Sequence, residues 1–85
     1  MNKFFDDKTV LITGGTGSFG KTILNHFLKY NVKEIRIFSR DEKKQEDIRL
    51  NTNNPKVKYV IGDVRDKESV FSITKNVNFI FHAAA

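Results

Sequence analysis

The chain has 85 residues, a formal net charge of +5 and a hydrophobic fraction of 39%. This composition fits one small globular domain, or part of one, and excludes a disordered, collagen-like or repeat protein. Because the chain has no cysteine, disulfides and thiolate metal sites are excluded, and we expect a reducing compartment. The apolar runs are far shorter than the ~18 residues of a membrane span and no signal peptide is visible, which indicates a cytoplasmic protein.

The basic charge raises the question of a nucleic-acid partner. Proteins that bind nucleic acid cluster lysine and arginine on one face. Here the most charged stretch, residues 40–47, mixes both signs, and the other lysines are scattered singly. The charge therefore indicates a solvated surface, with no nucleic acid expected. An anionic small molecule, which needs only a few well-placed cations, stays open.

Short runs of branched and aromatic residues alternate with helical patterns along the chain. The predicted strands are 9–13, 34–38, 57–61 and 78–82, and the predicted helices are 18–30, 39–50 and 66–74. Right-handed crossovers then predict an α/β, Rossmann-type doubly wound parallel sheet with strand order 3-2-1-4. The fourth strand is left at an open edge, so we expect residues 1–85 to be the N-terminal part of a larger domain, truncated after that strand.

Polar residues at the predicted helix ends suggest how the helices begin. Residues 39–42 fit a capping box, in which Ser39 accepts a hydrogen bond from a first-turn amide and Glu42 reaches back. Asp66 is predicted to cap the third helix. The asparagine-rich stretch 51–55, which ends in Pro55, predicts a turn.

Gly14, Gly17 and Gly20 follow the first predicted strand in a G-x-x-G-x-x-G pattern. This is a variant of the dinucleotide fingerprint with a first gap that is one residue longer. In that motif one glycine allows a sharp turn, another lets backbone amides approach a pyrophosphate, and a third lets the helix pack close to the sheet. The helix N-terminus adds partial positive charge. The pattern predicts a dinucleotide site.

The same stretch also fits a second motif. From Gly15 to Thr22 it reads G-x-x-x-x-G-K-T, a P-loop in which Lys21 reaches the terminal phosphates and Thr22 a magnesium ion. The glycine spacing, the bulky Phe19 and the lack of an aspartate after the fourth strand favour the dinucleotide, although Asp63 could imitate that aspartate. The P-loop and a purely structural glycine turn stay open.

The residues after the second strand bear on which dinucleotide is bound. Ser39 and Arg40 stand about 20 residues after the glycine loop, where NAD-binding proteins carry an acidic residue. A carboxylate would repel a 2′-phosphate, whereas a hydroxyl and a guanidinium would bind it. NADP is therefore the predicted cofactor, with Lys43 as a second cation. Asp41 keeps NAD open, and Arg40 could be an ordinary surface residue.

Candidate residues also follow the third and fourth strands. Asp63 can accept a hydrogen bond from the adenine amino group and Val64 can pack on the ring, although a plain turn is the alternative. Ala83 and Ala84 are small enough for a dinucleotide to lie close to the backbone. His82 is predicted to be packed and hydrogen-bonded instead of catalytic. We therefore expect no catalytic residue and no metal ligand in this chain.

Four blocks of the sequence, 13–20, 37–45, 62–66 and 82–85, resemble the N-terminal part of bacterial nucleotide-sugar dehydratases. These are extended short-chain dehydrogenases/reductases. The resemblance is to the polysaccharide-biosynthesis branch, similar to inverting UDP-N-acetylglucosamine 4,6-dehydratases that make capsule, O-antigen or flagellin sugars. The glycine loop would fit any extended member, whereas the Ser-Arg-Asp-Glu-Lys-Lys block is more specific and supports NADP.

The resemblance implies a tightly held NADP that takes hydride from sugar C4, permits loss of water across C5 and C6, and returns hydride at C6 with inversion at C5. It implies a UDP-sugar substrate and a homo-oligomeric parent. It assigns cofactor contacts to the pyrophosphate residues Thr16, Gly17, Ser18 and Phe19, to the adenosine-phosphate residues Ser39, Arg40, Asp41, Lys43 and Lys44, to the adenine residues Asp63 and Val64, and to Ala83 along the backbone.

The catalytic Tyr-x-x-x-Lys pair and the sugar-binding domain lie beyond Ala85 in the proteins that this chain resembles. The chain alone is therefore expected to be inactive. Two other classes of function stay open: a non-catalytic Rossmann sensor that binds NADP to regulate a partner, and a P-loop NTPase.

Overall fold

A computed structural model describes residues 3–14 and 16–83 and shows a four-stranded parallel sheet flanked by helices. The elements in chain order are β1 Thr9–Thr13, α1 Ser18–Phe27, β2 Glu34–Ser39, α2 Glu42–Thr52, β3 Val57–Ile61, α3 Lys67–Ile73 and β4 Phe79–His82. The strand order is β3-β2-β1-β4. The predicted Rossmann-type α/β fold with order 3-2-1-4 is confirmed.

The central strand β1 sets the register of the sheet. It pairs in parallel with β2 and β4, so that Thr13 aligns with Phe38 on one side and His82 on the other. All five residues of β1 are buried, as expected of a parallel strand covered on both faces. Because the strands run in the same direction, the segments that follow them lie along one edge of the sheet. That edge carries most of the residues predicted to bind a cofactor.

One face of the sheet packs against α1 and α2 and holds the larger core. Side chains from alternate strand positions meet the buried stripe of α1, which includes Leu24 and Phe27, and Ile48 of α2. The buried residues of this cluster are Val10, Ile12, Leu24, Phe27, Val32, Ile35, Ile37, Ile48 and Val57. We call this the α1/α2 face.

The opposite face packs against α3, and we call it the α3 face. Its buried cluster contains Leu11, Phe38 and Ile73, with Val77 packed beside it. Leu11 and Phe38 alternate along their strands with residues of the α1/α2 face, as the two-residue period of a strand requires.

Several element ends differ from the prediction. Helix α1 ends at Phe27, and residues 28–30 form a turn. Helix α2 continues to Thr52 because Asn53 ends it in the left-handed conformation, with φ of 43°, and donates its amide to the Arg49 carbonyl at 2.9 Å. Asparagine tolerates this conformation. The asparagine-rich composition of residues 51–55 predicts a turn, and for this reason the predicted helix ends at residue 50, two residues too early.

The predicted capping box is wrong. Ser39 is the last residue of β2, and the N-cap of α2 is Asp41, whose Oδ1 accepts a hydrogen bond from the Lys44 amide at 2.9 Å. Serine and aspartate are both good N-caps, and the pairing of Ser39 with Ile61 of β3 keeps the serine in the sheet. The predicted cap of α3 is confirmed, since Asp66 accepts from the Glu68 amide at 3.1 Å.

Within residues 3–14 and 16–83, no helix has the length and apolar character needed to cross a membrane.

Candidate nucleotide-binding site

The turn that leaves β1 has the geometry expected of the glycine loop. Gly14 adopts a φ of 66°, a left-handed conformation that glycine adopts without steric cost. Its amide donates to the Phe38 carbonyl at 2.7 Å, which ties the turn to the neighbouring strand. Thr16 is buried. The turn thus directs the chain from the centre of the sheet into α1.

The N-terminus of α1 presents backbone amides without a side-chain cap. Its N-cap is Gly17, and the first turn, Ser18 to Gly20, contains no acidic residue. A Cβ placed on Gly17 would meet nothing within 4 Å, so the backbone is open to a ligand there. Ser18 and Phe19 are exposed, and Gly20 is buried. Free first-turn amides and the helix dipole favour an anion at this position.

A cleft of about 780 Å³ opens beside this turn, at the carboxyl ends of β2 and β3. Its lining contains segments 38–42 and 62–65 together with Gly14. Of the residues predicted to bind a cofactor, the cleft brings together Gly14, Ser39, Arg40, Asp41, Asp63 and Val64. This volume lies within the range of small-molecule and cofactor sites, about 300–1,000 Å³.

The floor of the cleft depends on a close contact between Gly62 and Phe38. The Phe38 ring is 1% exposed, and a Cβ on Gly62 would lie 2.4 Å from its Cε1 atom. Real Cβ atoms do not approach so closely, so only glycine fits at position 62. Val64 is 49% exposed beyond it and offers an apolar surface to the cleft.

The Asp63 carboxylate lies between two arginines of the cleft. It accepts hydrogen bonds from the Arg65 guanidinium, at 2.7 Å for Nη2, and from the Arg65 backbone amide at 2.9 Å. Nη1 of Arg40 is 3.8 Å from its Oδ2 atom. The pKa of Asp63 is lowered to about 2, mainly by the hydrogen bonds from the Arg65 side chain. The Arg65 backbone amide and the charge of Arg40 lower it further. Asp63 is therefore ionised throughout the neutral range.

The Ser39 hydroxyl is held by a buried amide side chain. Gln45 is 3% exposed, and its Nε2 donates to Ser39 Oγ at 2.9 Å and to the Val60 carbonyl at 2.8 Å. The Ser39 carbonyl accepts from the Gly62 amide at 2.9 Å. These contacts fix the ends of β2 and β3 against each other and keep the serine at the cleft wall.

Other predicted residues lie outside the cleft lining. Lys43 and Lys44 are exposed on α2, and Lys44 Nζ is 4.0 Å from the Asp41 carboxylate. Ala83 is half-buried after β4, where its amide donates to the Thr13 carbonyl at 2.8 Å. Ala84 lies outside the described residues. The glycine loop residues from Thr16 to Gly20 form the adjoining turn and helix start.

His82 is hydrogen-bonded, as predicted, through its Nδ1 atom to the Thr13 hydroxyl. The prediction that its side chain is packed is wrong, because His82 is exposed at the end of β4. Side chains alternate between the two faces of a strand, and His82 lies on the face opposite to the half-buried Phe81, which explains the difference.

The residues of the alternative P-loop point elsewhere. Lys21 is exposed and lines a separate, smaller cleft between α1 and α2, beside Asp47 and Asn51. The Thr22 hydroxyl donates to the Ser18 carbonyl at 3.0 Å within its own helix. Neither side chain lines the 780 Å³ cleft, which favours the dinucleotide interpretation.

Sequence reasoning missed Gln45 and Arg65. A signal for Gln45 was present, because it precedes Ile48 by three residues and so shares the buried face of α2. Arg65 follows Asp63 by two residues in a turn, and no periodic pattern marks such a pair.

The family is decided by comparison with known proteins. The model of the polysaccharide biosynthesis protein family matches residues 10–85, most of the chain. The chain belongs to this family. Its curated relatives include proteins named UDP-glucose 4-epimerase, from Rickettsia bellii at 61% identity and from Rickettsia prowazekii at 59%. Each match covers 95% of this chain and 25% of the relative, so this family member spans about a quarter of their length.

Solved structures agree with the fold. Pen from Bacillus thuringiensis superimposes with a TM-score of 0.94 at 42% identity, over 99% of this chain and 26% of its own. WbmF from Bordetella bronchiseptica, solved with NAD+ and UDP, gives a TM-score of 0.76 at 17% identity, over 99% of this chain and 25% of its own. At that identity the second likeness shows the Rossmann fold alone.

Proposed function

We propose that this chain is the cofactor-binding part of an NADP-dependent nucleotide-sugar 4,6-dehydratase, acting on UDP-N-acetylglucosamine in bacterial surface polysaccharide biosynthesis. The observation that carries the proposal is the position of Ser39 and Arg40. Both line a cofactor-sized cleft at the carboxyl end of β2, beside the uncapped start of α1. We expect the parent protein to be cytoplasmic and homo-oligomeric.

The residues of the described chain fit the parts of NADP in order. The first-turn amides after Gly17 suit the pyrophosphate, because the helix dipole favours a negative charge there. Arg40 and Ser39 suit the 2′-phosphate, and the exposed side chain of Val64 suits the adenine ring. When bound, NADP supplies a reversible hydride acceptor. The residues of this chain bind and orient it, and the groups that act on the sugar belong to other parts of the parent protein.

Asp63 is less available to the adenine ring than Val64 is. Its carboxylate already accepts several hydrogen bonds from Arg65, and the adenine amino group has to share the remaining lone pairs. The choice of cofactor therefore depends on Ser39 and Arg40 and not on Asp63.

The test is a titration of the chain with NADP and with NAD. Arg40→Ala should weaken NADP binding roughly 10- to 150-fold, the equivalent of one charge-assisted hydrogen bond of about 1.5–3 kcal/mol, and leave NAD binding almost unchanged. Arg49→Ala is the matched control. It removes the same charge from α2, but Arg49 pairs with Glu46 and lies outside the cleft.

An equal loss of NADP and NAD affinity in Arg40→Ala would contradict the assignment of the 2′-phosphate to Arg40. A similar loss in both arginine variants would show that overall charge, and not a local contact, attracts the cofactor. Stronger binding of ATP with magnesium than of NADP would favour the P-loop instead.

A second candidate is a UDP-glucose 4-epimerase, because curated relatives about 60% identical to this chain carry that name. Both activities need oxidation of the sugar at C4, so the cofactor-binding part alone does not separate them. Mass spectrometry of the products of the full-length parent does. A dehydratase lowers the mass of UDP-N-acetylglucosamine by one water, whereas an epimerase converts UDP-glucose into a product of equal mass.

A further inference from the structure

Gln45 is a buried polar residue on a helix that is otherwise mostly exposed. In α2 it shares the buried side with Ile48, and it is 3% exposed. Its Nε2 atom lies 2.8 Å from the Val60 carbonyl, 2.9 Å from Ser39 Oγ and 3.4 Å from the Ser39 carbonyl. A buried amide in this position joins α2, β2 and β3 at the cleft wall.

These contacts determine the direction of the bond between Gln45 and Ser39. Backbone carbonyls only accept hydrogen bonds, so the amide group that faces Val60 must be the NH₂ and not the oxygen. The second hydrogen of the same NH₂ then points to Ser39 Oγ, which must accept it. A serine hydroxyl has one hydrogen to donate, and that hydrogen is left free of Gln45.

The Ser39 hydroxyl belongs to a residue at the wall of the cleft. Within residues 3–14 and 16–83, the hydroxyl makes one hydrogen bond, which it accepts from Gln45. Ser39 also lines the cleft next to Arg40. The hydroxyl is therefore set to donate toward a ligand and is less able to accept from one.

We propose that Gln45 is a positioning residue that sets cofactor preference through Ser39. The inference rests on the proposed function. A phosphate dianion is purely an acceptor, whereas a ribose 2′-hydroxyl both donates and accepts. A serine with its hydrogen free and one of its two lone pairs already used matches the acceptor-only phosphate of NADP better than the hydroxyl of NAD. Gln45 thus contributes to discrimination without touching the cofactor.

The experiment is a double-mutant cycle on the whole chain with NADP and NAD as probes. Gln45→Met keeps the shape of the side chain and removes both donors. It should lower the ratio of NADP to NAD affinity about 3- to 10-fold in the wild-type background, as expected for loss of one oriented hydrogen bond. In the Ser39→Ala background it should leave that ratio unchanged, because the hydroxyl through which it acts is gone.

Ile48→Val is the control for stability. Ile48 is on the same helix and packs in the core of the α1/α2 face, so this variant loosens α2 without altering the amide of Gln45. It should lower the melting temperature and keep the affinity ratio of the wild type. Circular dichroism verifies that every variant compared is folded.

Each outcome decides between the alternatives. A ratio that falls with Gln45→Met only when Ser39 is present supports the inference. An equal fall in both serine backgrounds, a fall also with Ile48→Val, or no change of the ratio overturns it and leaves the NADP proposal intact. A wild-type chain that prefers NAD overturns the NADP proposal itself, and this inference with it.

Discussion

The two faces of the sheet are packed very differently although they share the same strands. On the α1/α2 face, helices of 10 and 11 residues cover a continuous core. On the α3 face, a helix of seven residues covers a smaller cluster, and Phe71 and Ile80 are 70% and 56% exposed. We infer that the α1/α2 face supplies most of the stability of the chain. The cleft has Phe38 of the α3 face in its lining, so it borders the more open side.

The largest expected effect tests this difference directly. Leu24→Ala on the α1/α2 face should cost about 2–5 kcal/mol, because Leu24 is 1% exposed and its neighbours cannot close the cavity. Ile73→Ala on the α3 face should cost less than about 2 kcal/mol, since the more open surroundings can relax. Urea unfolding followed by circular dichroism measures both. Equal costs would contradict the comparison of the two faces.

The second prediction concerns the contact where the α3 face meets the cleft. Gly62→Ala should destabilise the chain by about 1–3 kcal/mol, because the added Cβ would displace the buried Phe38 ring. It should also weaken NADP binding, since both residues line the cleft.

Gly17→Ala is the matched glycine variant. The added Cβ would meet no protein atom within 4 Å, so the free energy of unfolding should change little. It should reduce NADP binding, because the methyl group would occupy the space in which the backbone is open to a ligand. If both variants destabilise the chain equally, the difference in packing between the two glycines is refuted. Thermal unfolding and NADP titration of the two proteins provide the measurement.

The third prediction concerns the charged pair of Asp63 and Arg65 in the cleft. The pKa of Asp63 is lowered to about 2, mainly by hydrogen bonds from the Arg65 side chain. A depressed pKa means that the stabilisation is present above the ordinary aspartate pKa and is lost as the pH falls through about 2. Arg65→Ala should therefore raise the pKa of Asp63 back toward 3.8, and NMR titration of the side-chain carboxyl carbon measures it.

The pH dependence of binding is expected to come from the phosphate of NADP and not from Asp63. Asp63 does not titrate near neutrality, whereas a bound phosphate monoester has a second pKa of about 6. The affinity for NADP should therefore fall as the pH drops through about 6, and the affinity for NAD should not. A parallel fall for both cofactors would point to a titrating protein group instead.

The sequence was sufficient to predict the order of the strands but not the side-chain contacts at the carboxyl ends of those strands. The continuous apolar run of β1 and the alternation of strands and helices predicted the strand order correctly, because burial on both faces leaves a strong pattern. The start of α2 was assigned wrongly, because Ser39 and Asp41 are equally good caps and the choice depends on strand pairing to Ile61. The amide of Gln45 acts on residues six and fifteen positions away, and such contacts exist only in the fold.

The smallest expected effect on stability comes from the exposed edge. Ile80 is in β4, an edge strand, and its side chain is 56% exposed on the α3 face. Ile80→Lys should change the free energy of unfolding by less than about 0.5 kcal/mol, as is usual for surface positions. It should reduce self-association, because apolar edge strands promote pairing between chains and a lysine opposes it.

Sedimentation velocity of the two proteins over a range of concentrations measures this association. A wild-type chain that stays monomeric would show that the β4 edge does not promote self-association. The adjacent residue Phe81 provides the contrast with Ile80, because its side chain lies on the α1/α2 face. It packs against the core there, with its ring centroid 5.0 Å from that of Phe27. Phe81→Lys should therefore destabilise the chain more than Ile80→Lys does, although the two substitutions are adjacent on the same strand. Similar stability in the two variants would mean that β4 does not distinguish the faces of the sheet.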